Sequence, residues 1–296
     1  MAYEAKILLD SINPEGNRLT TMVVTYPRFV HSELLTHRML SRNSSSSRAI
    51  PISKMIEQVE SDPVLPVWWG KNQSGMQAKE ELEEPDLGIV KRDWLRGRDI
   101  AVGVVEELSR RGLHKQIANR LLEPWMWITV IVSATEWENF FNLRCHPDAQ
   151  PEIQKIAYMM RNLYNANEPT LRQVGEWHLP LVDGYDLTTV GSPESSSPAI
   201  KKNETEWYVN DSLTKISVGR CARVSYLTHE GVRDPQADID LCDRLQASGH
   251  MSPFEHVANV ADKDISPQYY GNFKGWVQYR KTLSGENIFK GASNGR

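Results

Sequence analysis

Apolar residues along this chain recur in runs that predict a mixture of strands and helices. Residues 19–26 (LTTMVVTY) are rich in β-branched side chains, lie between Gly16-Asn17 and Pro27, and read as a strand. Beyond Pro27, Val30, Leu34, Leu35 and Met39 fall at helical spacing, with Ser32 as the candidate cap and a Ser-rich turn as the end. Residues 100–122 carry a helical pattern (Val104, Val105, Leu108) interrupted at Gly112, and Pro124 closes that unit. Residues 127–143 are strongly apolar. Residues 152–164 form an amphipathic helix with Ile153, Ile156, Ala157, Met160 and Leu163 on one face. Residues 217–226 suit a helix or a strand, and 238–247 read as a helix ending at Gly249.

Between these runs the pattern breaks. Residues 61–90 are rich in Pro, Gly and acidic groups and read as irregular or lid-like; with their flank they make 61–97 an expected insertion. Residues 191–198 (GSPESSSP) are a linker-like loop. The whole of 1–296 is otherwise expected to be a single domain. Apolar residues make up 40% of the chain, enough for a sizeable core, and the net charge of −4 argues against a protein that coats nucleic acid. No run reaches the ~20 apolar residues that span a bilayer, so no membrane partner is expected and the cytoplasm is the expected location (the host's, for a viral protein). Cys145, Cys221 and Cys242 lack metal-ligand spacing and read as structural thiols, and no metal is expected.

The segment 36–48, THRMLSRNSSSSR, carries the densest chemistry. A guanidinium binds a phosphate through parallel hydrogen bonds, and small hydroxyl residues let backbone N–H groups approach the same anion. The bland reading is a polar loop capping a helix. Arg48 and Arg120 could equally be surface ion pairs, and Arg144 a core arginine paired with Glu152. Ser252 and Glu255 satisfy a capping box with no function at all.

The segment resembles the RHRxxSxNExSxRY signature of flavin-dependent thymidylate synthases: His37, Arg38, Ser41, Asn43, Ser46 and Arg48 match, while Thr36, Ser44 and Ala49 depart from it. ANRLLEP (118–124) resembles that family's ARxxLP element, and NFFNLR (139–144) followed by AQPEI (149–153) its NFLxLR…AQxEI element. GHMSPFEH (249–256), preceded by ARVSY (222–226), resembles its GHxSPFEH element. In the family that last element precedes the RHR motif, so the chain reads as a circularly permuted or segmentally duplicated relative; residues 276–287 faintly echo the RHR region.

The resemblance implies an α+β fold, an antiparallel sheet with surrounding helices, assembled as a homotetramer with active sites between subunits. It implies FAD, methylenetetrahydrofolate and NADPH as cofactors and a pyrimidine deoxynucleotide as substrate, dUMP being reductively methylated to dTMP. It assigns Arg144 and His250 to the reacting region, and Glu33, Ser46, Ser47, Arg48, Arg120 and Arg144 to the nucleotide. His37, Arg38, Asn43, Asn139, His250, Ser252 and Glu255 fall to the cofactors. The changes at Thr36 and Ser44 leave two alternatives: a nucleotide hydroxymethylase acting on dCMP or dUMP, and a non-catalytic nucleotide- or flavin-binding protein. Gln278, Arg280 and Glu286 are the residues that could replace lost groups.

Overall fold

The computed structural model describes residues 3–190, 200–202, 206–208, 211–224 and 234–286. The linker-like 191–198, together with Ser225, Tyr226 and the last residue of the 276–287 echo, lies outside them. The strands are β1 (Glu4–Ile12), β2 (Arg18–Pro27), β3 (Ser41–Ser44), β4 (Trp127–Ala134), β5 (Thr170–Leu171), β6 (Trp177–His178), β7 (Ile200–Lys202), β8 (Glu206–Tyr208), β9 (Ala258–Val260) and β10 (Trp276–Gln278). The helices are α1 (His31–Leu35), α2 (Ile52–Ser61), α3 (Asp86–Arg110), α4 (Lys115–Ala118), α5 (Glu138–Arg144), α6 (Pro151–Ala166), α7 (Gly184–Val190), α8 (Asp211–Ala222), α9 (Pro235–Ser248) and α10 (Tyr279–Thr282). The fold is α+β: a five-stranded sheet in the order β3-β4-β2-β1-β5, antiparallel but for β1–β5, and a three-stranded sheet β10-β9-β6, with helices around them. No helix of the described residues is long and apolar enough to cross a membrane.

Strand side chains alternate between faces, which explains why β2 and β4 read as continuous apolar runs. Met22, Val24, Tyr26, Val130 and Val132 point to one face and pack on α5 and α6 through Phe140, Phe141, Ile153, Ile156 and Met160. Val23 and Ile131 point to the other face and meet Cys221 and Val224. A sheet covered on both sides has no polar stripe to reveal its alternation.

The apolar run 127–143 is two elements: β4 ends at Ala134 and α5 begins at Glu138. The helix expected through Met39 stops at Leu35; it is capped by Val30 rather than Ser32, and Leu35 and Met39 are exposed. Pro124 sits inside a 3-10 helix, Asn119–Trp125, rather than closing the unit. The helix that could have been a strand is α8, and α9 ends at Gly249, whose φ of 77° favours glycine. Residues 62–85 hold no helix, and the segment is pinned where the Val67 N–H donates to the buried carboxylate of Glu152 (2.9 Å). From Asp86 the chain is the long helix α3.

Two histidines are sealed under the large sheet. The side chains of Ser11, His178, Thr21, Ser133 and His256 form one buried hydrogen-bonded chain, with links of 2.9, 2.8, 2.6 and 2.8 Å. Burial pushes both imidazoles down to about 3 from an ordinary 6.5, so they are neutral near pH 7. An unfolded chain binds these protons near pH 6.5 and the folded one does not, so stability rises with pH in that window. Stability is therefore full above about pH 6.5 and falls as the pH drops toward 3, by up to about 1.4 kcal/mol per pH unit for each histidine. Urea titrations between pH 7 and 5, above the carboxylate range, should show this slope, and His256→Asn should reduce it. An unchanged slope in that variant would contradict the assignment.

Candidate functional site

The segment 36–40 is a strap held from both sides. Thr36 Oγ1 donates to the Glu33 carbonyl (2.7 Å), and the N–H groups of His37 and Leu40 close tight turns on Leu34 and His37. His37 is buried, edge-on to Phe140 with ring centroids 5.0 Å apart. Arg144, at the last turn of α5, donates from Nε to His37 Nε2 (2.9 Å), from Nη1 to Glu33 Oε2 (3.1 Å), and from Nη2 to the Glu33 carbonyl and Thr36 Oγ1. The partner of Arg144 is thus Glu33, not Glu152.

Arginine only donates, so His37 Nε2 must accept and its proton resides on Nδ1. Burial first, then the charges of Arg144 and Arg42, push His37 down to about 4. The Glu33 carboxyl is raised by burial, with Arg144 opposing.

A cavity opens on each side of the strap. The larger, about 660 Å³, has an apolar floor including Leu40, Phe140 and Leu143, and its polar groups include His37, Arg38, Asn139 and Arg144. The smaller, about 360 Å³, is lined by His31, Arg38, Arg42, Ser44, Ser252 and Asn272 among others. Arg38 and Leu40 belong to both. His31, whose Nδ1 meets the Tyr26 hydroxyl at 2.7 Å, is pushed down to about 4, chiefly by burial.

The far end of the chain completes this region. The expected Ser-rich turn begins as β3, which pairs with β4 at the sheet edge. On β3, Asn43 Nδ2 donates to the Cys221 carbonyl (2.8 Å) and Ser252 Oγ donates to Asn43 Oδ1 (3.4 Å). Ser41 Oγ accepts from Asn272 Nδ2 (3.0 Å) and Gln278 Nε2 (3.3 Å), and Gln278 also donates to the Glu255 carbonyl. The capping box does not form. The turn Ser252–His256 has no side-chain cap, Ser252 reaches Asn43 instead, and Glu255 pairs with Arg280, whose Nε also holds Glu286 (2.9 Å).

Other sequence-derived residues lie apart from both cavities. Asn119 Nδ2 donates to the carbonyls of Ser47 (2.8 Å) and Ile50 (3.0 Å), so the loop bearing Ser46, Ser47 and Arg48 adjoins the 3-10 helix bearing Arg120. Arg48 is exposed, and Arg120 pairs with Glu123 at 2.6 Å. His250 is exposed beyond α9, its N–H on the Leu245 carbonyl. Sequence reasoning passed over His31, Arg42 and Asn272 in the smaller cavity and Glu136 and Glu138 in the larger. Arg42 had a signal, as a third arginine inside the 36–48 motif; Asn272 had none. Cys145 and Cys221 have thiols pushed up by burial, which suits structural cysteines rather than nucleophiles.

A guanidinium-and-imidazole strap thus lies between two cavities, each lined by both polar and apolar side chains, in an α+β protein. A family model described as thymidylate synthase complementing protein matches residues 15–170, and the chain belongs to that family. Among solved structures, the chain is similar to a UMP/dUMP methylase, PolB from Streptomyces cacaoi, crystallised with 5-Br dUMP. The two are 19% identical with a TM-score of 0.38, over 50% of this chain and 65% of that one. No curated protein matches the sequence.

Proposed function

We propose that the protein is a flavin- and folate-dependent one-carbon transferase acting on carbon 5 of a pyrimidine deoxynucleotide, converting dUMP to dTMP. The observation that carries this reading is the junction of Asn43 with Ser252, and of Ser41 with Asn272 and Gln278, beside the twin cavities. Motifs some two hundred residues apart thereby form one wall, as expected of a permuted chain acting as a single unit. The assembly proposed is a homotetramer with sites between subunits.

The larger cavity fits a flavin in its chemistry: an apolar floor for a ring, with Asn139, Arg38 and the Nδ1–H of neutral His37 to meet polar edges. His37, Arg38, Asn43, Asn139, Ser252 and Glu255 would hold flavin and folate, with His250 beside them. Reduced FAD, renewed by NADPH, would supply the hydride that turns a transferred methylene into a methyl group. Arg144 is fixed by Glu33, His37 and Thr36, and its Nη1 retains a hydrogen outside those contacts. A guanidinium so held stabilises negative charge developing on a pyrimidine without reorganising. Ser46, Ser47, Arg48 and Arg120 would take the 5′-phosphate, and Glu33 orients Arg144.

Hydroxymethylation of dCMP or dUMP is the second reading. It is favoured by Ser44 on the wall of the smaller cavity, where the family signature has a glutamate. Incubation with methylenetetrahydrofolate and either dUMP or dCMP, with and without NADPH, followed by mass analysis, separates the two. A methylated product requiring NADPH supports the synthase, and a hydroxymethylated product formed without net NADPH use supports the second reading. Purified protein that refuses FAD and yields neither product would overturn both.

A further inference from the structure

We infer that Arg42 is a specificity-setting ligand contact, forming with Arg38 an oxyanion-binding subsite on the wall of the smaller cavity. The inference deepens the proposed function and rests on it for the identity of the ligand, though not for the anion chemistry. Arg42 and Ser44 are two apart on β3, on the same strand face, and both line this cavity. The intervening Asn43 points to Cys221 and Ser252. Arg42 Nη1 donates to the carbonyls of His37 (3.1 Å) and Leu40 (2.7 Å), which anchors the side chain under the strap and leaves Nε and Nη2 outside those bonds.

The electrostatics point the same way. Among the described residues no carboxylate pairs with Arg38 or Arg42, whereas the neighbouring Arg144 and Arg280 pair with Glu33 and Glu255. Glu255 is the carboxylate on the same wall, and Arg280 already neutralises it. Two unneutralised guanidiniums facing one concave space repel each other, and a bound oxyanion removes that cost while accepting hydrogen bonds from both. In the 36–48 motif the signature's glutamate is replaced by the neutral Ser44, and Arg42 occupies a position that the signature leaves open. Both changes drive this wall toward positive potential.

A phosphate of the nucleotide, the diphosphate of a flavin or the carboxylate of a folate would satisfy this chemistry. Calorimetry with dUMP, deoxyuridine, FAD, methylenetetrahydrofolate and inorganic pyrophosphate distinguishes them in wild type, Arg42→Gln, Arg42→Lys and Ser44→Glu. The expected result is a ~10- to 100-fold loss of affinity in Arg42→Gln for at least one of FAD, the folate and dUMP, with deoxyuridine unaffected and a smaller loss in Arg42→Lys. Ser44→Glu leaves the carbonyl braces of Arg42 untouched and should weaken the same ligand by placing a carboxylate on the wall. A loss confined to FAD or the folate sustains the subsite and assigns its anion to that ligand. Unchanged binding of every probe in Arg42→Gln and Ser44→Glu, or equal losses for dUMP and deoxyuridine, would overturn it. If wild type binds no nucleotide, flavin or folate, the functional reading fails separately. Pyrophosphate then decides the subsite: binding that Arg42→Gln abolishes sustains it, and no binding by wild type overturns it.

Discussion

Replacing Arg144 with alanine is expected to lower kcat/KM by about 100- to 1,000-fold while the chain stays folded, the cost of losing one preorganised charged donor at a reacting centre. The variant has a second readout that does not depend on turnover. Arg144 Nε occupies His37 Nε2, and its charge helps push that imidazole down to about 4. Removing the guanidinium removes both effects, so the His37 pKa should move upward, toward the ordinary 6.5. A proton NMR titration of the histidines would show one resonance shifting in Arg144→Ala. Arg144→Lys keeps a charge but not the planar fork that spans His37, Glu33 and Thr36, so it should recover only part of the activity. Wild-type turnover in Arg144→Ala would remove this residue from the reacting region.

The largest expected loss of stability comes from a residue remote from both cavities. Arg220 is 1% exposed; its Nη2 donates to Asp186 Oδ1 (2.6 Å) and its Nε to Asp238 Oδ2 (3.0 Å). Its Nη1 reaches the Leu181 carbonyl as well, so one side chain ties α7, α8 and α9 to the preceding loop. Arg220→Met preserves much of the volume but strands the buried carboxylate of Asp186 and leaves Asp238 to Arg223 alone (2.9 Å). Breaking one side of a buried ion cluster costs about 3–5 kcal/mol. Urea unfolding should show that loss, and a difference below about 1 kcal/mol would mean that the carboxylates relax to water. The consequence reaches the site because the carbonyl of Cys221, the next residue, anchors Asn43.

Legibility followed the physics of each element. The amphipathic α6 and the Gly249 stop of α9 were readable because local periodicity and a left-handed glycine are properties of neighbouring residues. Strand β2 was readable from its β-branched composition and boundary residues, though not from alternation. Strand β3 was not: Ser41–Ser44 has no apolar alternation, and its conformation comes from pairing with β4. The capping box failed for the complementary reason. Ser252 and Glu255 have the right spacing, but Asn43 and Arg280 offer competing partners that no local rule contains. Likewise, Arg144 could be placed at the end of an apolar segment, but its choice of Glu33 over Glu152 depends on how α5 packs against the strap.

By itself the sequence determined the family, the α+β class and the residue types that bear the chemistry. The motifs and their spacing carry the resemblance to the family, and the class is what that resemblance implies. Tertiary structure alone decided which of these residues face one another: that the strap divides two cavities, that His37 is neutral with its proton on Nδ1, and that Arg42 shares a wall with Arg38. The state of His37 depends on Arg144, about a hundred positions away, and the place of Arg42 on the pairing of β3 with β4. The energy of each contact is set by burial and by the partner that arrives, and neither is written in the local pattern.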